Sequence, residues 1–128
     1  MKKLIIAAVV ALTSFGASAE CWVVGDIAGT AYFKGDGYKE TPDAYSGKIM
    51  INIDGESASI ASSGLVTGGM EYFSPSPRIV LGFSLDKSKP VFEVWSINED
   101  KVTLAKSVSG WGGLDSTKAM VGNVLGKC

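Results

Sequence analysis

The chain contains no histidine among its 128 residues, and this absence removes several kinds of active site. Ser-His-Asp and Cys-His nucleophilic centres cannot be assembled without an imidazole, and the commonest zinc and copper ligand is missing. No catalytic residue, metal ligand or cofactor site is therefore assigned. The remaining candidates for chemistry are carboxylates scattered among turn residues: Asp36, Glu40, Asp43, Asp54, Glu56, Glu71, Glu93 and Asp115.

Cysteine is also scarce, with Cys21 near the start of the chain and Cys128 as its last residue. Two cysteines in an exported protein pair in the oxidising periplasm or exterior. The sequence therefore predicts one Cys21–Cys128 disulfide that joins the first and last strands or their extensions. A reactive thiol is disfavoured because no histidine is available to activate it.

Long apolar runs are absent except near the N-terminus, where the pattern is typical of a secretory leader. Lys2 and Lys3 precede the uncharged run from Leu4 to Leu12, and small residues at 17–19 suit a signal peptidase. The run is shorter than the roughly 20 residues that span a bilayer, and Glu20 disfavours lipid attachment at Cys21. We expect a cleaved signal peptide over 1–19 and a single exported β domain over 20–128, periplasmic or secreted, without a stable membrane anchor.

Basic residues are too few for a nucleic-acid surface. Loss of Lys2 and Lys3 would leave 10 basic residues against 13 acidic ones, a net charge of about −3. The mild acidic excess suits solubility, or an acidic patch that meets a cationic partner. Nucleic acid is not an expected partner.

Alternation of apolar and polar residues dominates what is present. Ile49, Ile51 and Ile53 alternate with polar positions before Asp54-Gly55, and Ser57 to Ile60 form the return strand. Asp-Gly suits a type I′ turn, so this segment predicts a β-hairpin.

Three further segments predict an antiparallel meander: 78–85, 91–97 and 102–108. In the middle strand Phe92 and Val94 share one face, and Val91, Trp95 and Ile97 share the other. We expect that strand to be buried on more than one side.

The flanking segments are less regular. Residues 22–24, 30–34 and 68–73 predict strands, and 74–77 predict a loop, as does the stretch between Gly35 and Gly47. The segment 116–125 fits either a short C-terminal helix capped by Ser116 or an extended ending. The fold class is all-β: a small antiparallel β-barrel or β-sandwich of about seven to eight short, meander-rich strands.

Aromatic residues outside the strands are the candidates for a binding surface. Trp111 lies between glycines at 110 and 112, which would let a loop present its ring to a partner, but a ring folded back to plug the barrel end is the preferred interpretation. Tyr38 and Tyr45, predicted to lie in the loop between Gly35 and Gly47, have the same two interpretations.

The gross plan, a leader followed by a compact disulfide-bonded β domain, resembles the small periplasmic inhibitors of chicken-type lysozyme. Their Ser-Gly-x-x-Tyr loop motif is approached by residues 63–67, Ser-Gly-Leu-Val-Thr, where Thr67 stands in place of the tyrosine. No functional residue is carried over from this resemblance.

Three functions follow as hypotheses. The first is binding of another exported macromolecule or envelope partner, including inhibition of an envelope-acting enzyme. The second is carriage of a small apolar ligand in a barrel cavity lined near Phe83, Phe92 and Trp95. The third is carboxylate-based hydrolysis.

Overall fold

A computed structural model describes residues 19–62 and 69–128, so the predicted leader and the segment 63–68 lie outside the described residues, apart from Ala19. The strands are β1 (Glu20–Phe33), β2 (Lys39–Tyr45), β3 (Ile49–Asp54), β4 (Ser57–Ser62), β5 (Met70–Ser76), β6 (Ile79–Ser84), β7 (Val91–Asn98), β8 (Lys101–Val108) and β9 (Ser116–Lys127). Short 3₁₀ turns occupy Lys34–Asp36 and Gly112–Leu114. The predicted all-β class is confirmed.

Every neighbouring pair of these strands is antiparallel, and β1 pairs with β9 to close the sheet into a barrel. The first half of β1 also pairs with β3, and its second half pairs with β2. The result is an eight-stranded barrel of β1 and β3 to β9 with β2 as an extra strand. The predicted alternatives, barrel and sandwich, are therefore decided in favour of the barrel.

The barrel interior holds the apolar core. Inward-facing side chains from most strands pack together there: Trp22, Val24, Ile27, Ile49, Ile51, Ile53, Ile60, Val80, Trp95, Ile97, Val102, Leu104 and Met120. The alternation seen in the sequence places these side chains inside because successive residues of a strand point to opposite faces of the sheet.

The predicted disulfide is confirmed. Cys21 lies near the start of β1, and Cys128 directly follows β9. The backbone N–H of Cys128 also donates to the carbonyl of Cys21 at 3.1 Å. The bridge therefore joins the two strands whose pairing closes the barrel.

The two predicted strands at 22–24 and 30–34 are wrong as separate elements, because β1 runs continuously from Glu20 to Phe33. Its register with β9 shifts between Gly25 and Ala28, as in a β-bulge. Asp26 there has a φ of 54°, and its carboxylate accepts a hydrogen bond from the Asn123 side-chain amide. A bulge accommodates extra residues in one strand without ending it, so the two predicted strands are parts of one.

Three other boundaries also differ from expectation. The predicted loop between Gly35 and Gly47 is largely strand β2. The strand predicted over 68–73 begins at Met70 and continues to Ser76, through most of the predicted loop. The helical alternative for 116–125 is wrong, since β9 is extended and lies between β8 and β1.

The expectation that β7 is buried on more than one side is also wrong. The predicted division of its faces holds, with Trp95 and Ile97 buried inside, but Phe92 and Val94 are exposed on the outer face. The barrel is a single curved layer, so only one face of each strand meets the core.

The predicted hairpin around Gly55 is confirmed as β3 and β4. Asp54 pairs with Ser57, so Gly55 and Glu56 form the turn, one residue later than Asp54-Gly55. Gly55 has a φ of 61°, and a Cβ on this residue would have no neighbouring atom within 4 Å. Its requirement for glycine is therefore purely a matter of backbone conformation.

Gly55→Val is expected to lower the free energy of unfolding by about 1 kcal/mol or more, since a β-branched residue resists positive φ. Denaturant unfolding measures the change. Gly126→Val is the matched control, because Gly126 also has open space around it but no positive φ. Equal stability of the two variants would contradict the assigned turn.

Candidate functional site at the loop end of the barrel

Three loops meet at one end of the barrel, which we call the loop end: residues 34–38, 85–90 and 109–115. The backbone N–H of Lys34 donates to the carbonyl of Asp115 at 2.8 Å, and that of Ser109 donates to the carbonyl of Pro90 at 2.9 Å. Gly35 packs directly on Gly113, because a Cβ added to Gly35 would lie only 3.0 Å from the carbonyl oxygen of Gly113. These contacts fix the loops against one another.

Trp111 is displayed at this end, with 46% of the residue exposed. Its backbone N–H donates to Oδ1 of Asp115 at 2.7 Å, and the Lys89 ammonium lies 4.4 Å from its ring centroid. The preferred interpretation, in which Trp111 plugs the barrel end, is wrong, because nearly half of the residue is exposed to solvent.

Tyr38 lies on the neighbouring loop, and 55% of it is exposed. It has a φ of 60°, in the left-handed region that bulky residues rarely adopt, and its N–H donates to the carbonyl of Phe33 at 2.9 Å. Leu114, in the loop of Trp111, is 64% exposed. The structure therefore places Tyr38 and Trp111 on adjoining loops at one end of the barrel.

Tyr45 is not a loop residue. It ends β2, is half-buried, and pairs with Ile27 on the inward-facing side of β1. The ammonium groups of Lys118 and Lys106 lie 5.7 and 6.0 Å from its ring centroid. Burial raises the pKa of the Tyr45 phenol, and the positive charge of Lys118 partly opposes this increase.

Sequence reasoning missed a buried polar group next to Tyr45. Glu93 is 6% exposed and accepts hydrogen bonds from the Tyr72 hydroxyl at 3.0 Å and from Nε1 of Trp95 at 3.3 Å. Burial and the nearby Glu93 carboxylate both raise the pKa of Tyr72. The sequence did contain a signal for this burial. Glu93 lies on the same strand face as Trp95 and Ile97, and the alternation of β7 places that face inside.

Gly82 explains how Tyr72 reaches this carboxylate. Gly82 pairs with both Tyr72 and Glu93 on its two neighbouring strands, and a Cβ on it would collide with the Tyr72 ring. The ring therefore lies over the glycine and brings its hydroxyl to Glu93. Close approach of this kind requires glycine inside the strand.

The carboxylates near Tyr45 have structural partners. Asp43 lies 2.8 Å from the Lys118 ammonium, and Glu93 accepts the two bonds already described. Within residues 19–62 and 69–128, no three His, Cys, Asp or Glu side chains converge as a metal site would require. Carboxylate-based hydrolysis stays an untested hypothesis.

A second exposed surface lies on the outside of the barrel. We call it the wall patch: Phe73, Leu81, Phe83, Phe92 and Val94. Leu81 pairs with Phe73 and Val94, and Phe83 pairs with Phe92, so the five side chains form a continuous outer face of β5 to β7. The rings of Phe73 and Phe83 meet edge to face at 6.2 Å.

The prediction that Phe83, Phe92 and Trp95 line a ligand cavity inside the barrel is wrong for two of the three residues. Phe83 and Phe92 point away from the interior, and of the three predicted lining residues only Trp95 points inward. An open groove of about 370 Å³ does lie between the wall patch and the loop 85–90, and its lining includes Phe83, Leu85 and Phe92.

In the part of the chain with assigned structure, no helix has the length and apolar character needed to cross a membrane. The segment that resembles the inhibitor motif, 63–67, falls outside that part. Comparison of the chain with protein-family models, curated proteins and solved structures finds no match.

Proposed function

We propose that this is an exported binding protein that captures another macromolecule through its loop end. The observation that carries the proposal is the display of Trp111, Tyr38 and Leu114 on loops that are hydrogen-bonded to one another. Inhibition of an envelope-acting enzyme is one form that such capture would take.

Fixed loops favour binding because association must overcome the loss of conformational freedom at the interface. The bond from Lys34 to Asp115 orders the first and third loops before any partner arrives, and the bond from Ser109 to Pro90 orders the second and third. Lys89 stacked on Trp111 restricts the indole in the same way. A preorganised aromatic side chain adds contact area at little entropic cost.

The strained backbone of Tyr38 also supports this site. A bulky residue at positive φ costs of order 1–3 kcal/mol, and such residues concentrate at functional sites. Tyr38 adopts this conformation at an exposed position, where burial of its ring cannot compensate for the strain. We infer that the positive φ of Tyr38 serves to present its phenol to a partner.

Two observations support export. The charged, apolar and small-residue pattern of residues 1–19 is typical of a secretory leader. The Cys21–Cys128 bridge is of the kind that forms and persists in oxidising compartments.

Trp111→Ala tests the proposal. The variant is expected to bind its partner about 30-fold more weakly, equivalent to a loss of about 2 kcal/mol, while its free energy of unfolding changes little. Capture from envelope extract with quantitative mass spectrometry identifies the partner, and titration of the purified partner measures the affinity.

Phe92→Ala is the matched control, because it removes an exposed aromatic ring from the wall and leaves the loops intact. Loss of capture in Phe92→Ala with normal capture in Trp111→Ala would move the binding site to the wall. A loss of several kcal/mol of stability in Trp111→Ala would show that the ring supports the fold instead.

A further inference from the structure

The outer face of β5 to β8 carries few charged side chains. The wall patch is apolar, and the adjacent outward positions on β8 are Thr103, Ala105 and Ser107. The nearest charged position on this face is Glu71, which pairs with Phe83 at the edge of the patch. Charged side chains lie mainly in the loops and at the ends of strands instead.

This distribution bears on which partner the wall can accept. Two copies of residues 20–128, in which 13 acidic side chains face 10 basic ones, repel each other through most of their surfaces. The five side chains of the wall patch bring no charge into such a contact, and Glu71 lies at its edge. Phe92, which is 62% exposed, and Val94, 41% exposed, supply the apolar centre typical of a homodimer interface.

We propose that the wall patch is the contact surface of a homodimer. Symmetric pairing through the same patch on both copies is the commonest arrangement in soluble oligomers. The patch lies on the outer faces of β5 to β7, whereas Trp111 lies in the loop between β8 and β9, so the two surfaces share no residue.

The size of the wall fits a weak dimer. The whole outer faces of β5 to β8, which hold the wall patch at their centre with Glu71 and Lys101 at their margins, cover roughly 400 to 500 Å² at a strand spacing of about 4.8 Å and a rise of about 3.3 Å per residue. Two such faces approach the roughly 1,000 Å² that a specific interface needs, which is the low end of the range. The groove lined by Phe83, Leu85 and Phe92 provides a depression for an apolar side chain of the second copy.

Sedimentation velocity of the purified domain, from low micromolar to near-millimolar concentration, tests the inference. The wild-type protein is expected to pass from monomer to dimer within this range. Phe92→Asp places a charge at the centre of the patch in both copies, and the transition is expected to move to at least about tenfold higher concentration. Val94→Lys is a second variant with the same expectation.

Leu114→Asp is the control, because it introduces the same charge at an exposed apolar residue of the loop end. It is expected to associate as the wild type does. A wild-type protein that stays monomeric throughout would overturn the inference, as would unchanged association of folded Phe92→Asp. Loss of association in Leu114→Asp alone would also overturn it, by moving the contact to the loop end. Failure of the dimer leaves capture by Trp111 intact, since that is measured with a different variant.

Discussion

Replacement of both cysteines, Cys21→Ala with Cys128→Ala, is expected to lower the free energy of unfolding by up to about 4.7 kcal/mol. The bridge spans a sequence separation of 107 residues, so its loss frees nearly the whole unfolded chain. A domain of this size has a stability of about 5–15 kcal/mol, so the expected loss is a large share of the total.

The folded barrel should nevertheless survive in the variant. The ladder between β1 and β9 extends from Trp22 to Phe33, and it holds the closing strands together without the bridge. Denaturant unfolding followed by circular dichroism measures the loss, and wild-type protein under reducing conditions should reproduce it. An unchanged unfolding midpoint would show that the bridge constrains neither state.

Trp95→Ala is expected to cost about 3–5 kcal/mol of stability, as removal of a buried aromatic side chain does. Trp95 is 3% exposed in the barrel interior, and its indole N–H donates to Glu93. The substitution therefore leaves a cavity and also removes one of two hydrogen bonds to a buried carboxylate. Thermal and denaturant unfolding measure the effect.

Two comparisons separate these causes. Trp95→Phe keeps most of the apolar volume but removes the N–H donor, so its expected cost of about 1–3 kcal/mol reports mainly the loss of one of the two hydrogen bonds to Glu93. Trp111→Ala makes the same tryptophan deletion at the exposed loop end and should cost little. Similar stability losses for Trp95→Ala and Trp111→Ala would contradict the placement of one ring inside and the other outside.

Local patterns were sufficient for the hairpin and the meander. Ile49, Ile51 and Ile53 alternate with polar residues and precede a glycine turn, so short-range backbone preferences and burial favour the same structure. The segments 78–85, 91–97 and 102–108 correspond closely to β6, β7 and β8 for the same reason. Prediction of the disulfide required only that the chain has two cysteines and that its leader pattern predicts export to an oxidising compartment.

Local patterns failed where a strand depends on its neighbours. The strand β2, Lys39–Tyr45, contains Pro42 and little apolar alternation, because it is an edge strand whose only partner among the described strands is β1. The Gly25-Asp26 pair falls between the two strands predicted at 22–24 and 30–34, but it forms a bulge within one strand, since β9 continues to pair on both sides of it. In β9, Ser116 resembles a helix cap until pairing with β8 and β1 fixes the extended form.

The candidate sites were likewise only partly predictable from local sequence patterns. Glycines around Trp111 allowed both a displayed ring and a barrel plug, and only the tertiary structure exposes the ring and brings Tyr38 and Leu114 to the same end of the barrel. Tyr45 was expected beside Tyr38 in a loop, whereas strand pairing places it with Lys118 near the interior. Glu93 could have been found from its strand face, but its donors come from β5 and from β7 itself.

The sequence by itself determined the all-β class, the disulfide and the faces of the clearest strands, because these depend on residue spacing and on the number of cysteines. Which face points inward was decided only by tertiary structure, since β6 and β7 carry apolar residues on both faces. Closure of β1 onto β9 selects Val80 and Trp95 for the core and leaves Phe83 and Phe92 outside. The loop end and the wall patch are therefore properties of the closed barrel, and no single segment contains either of them.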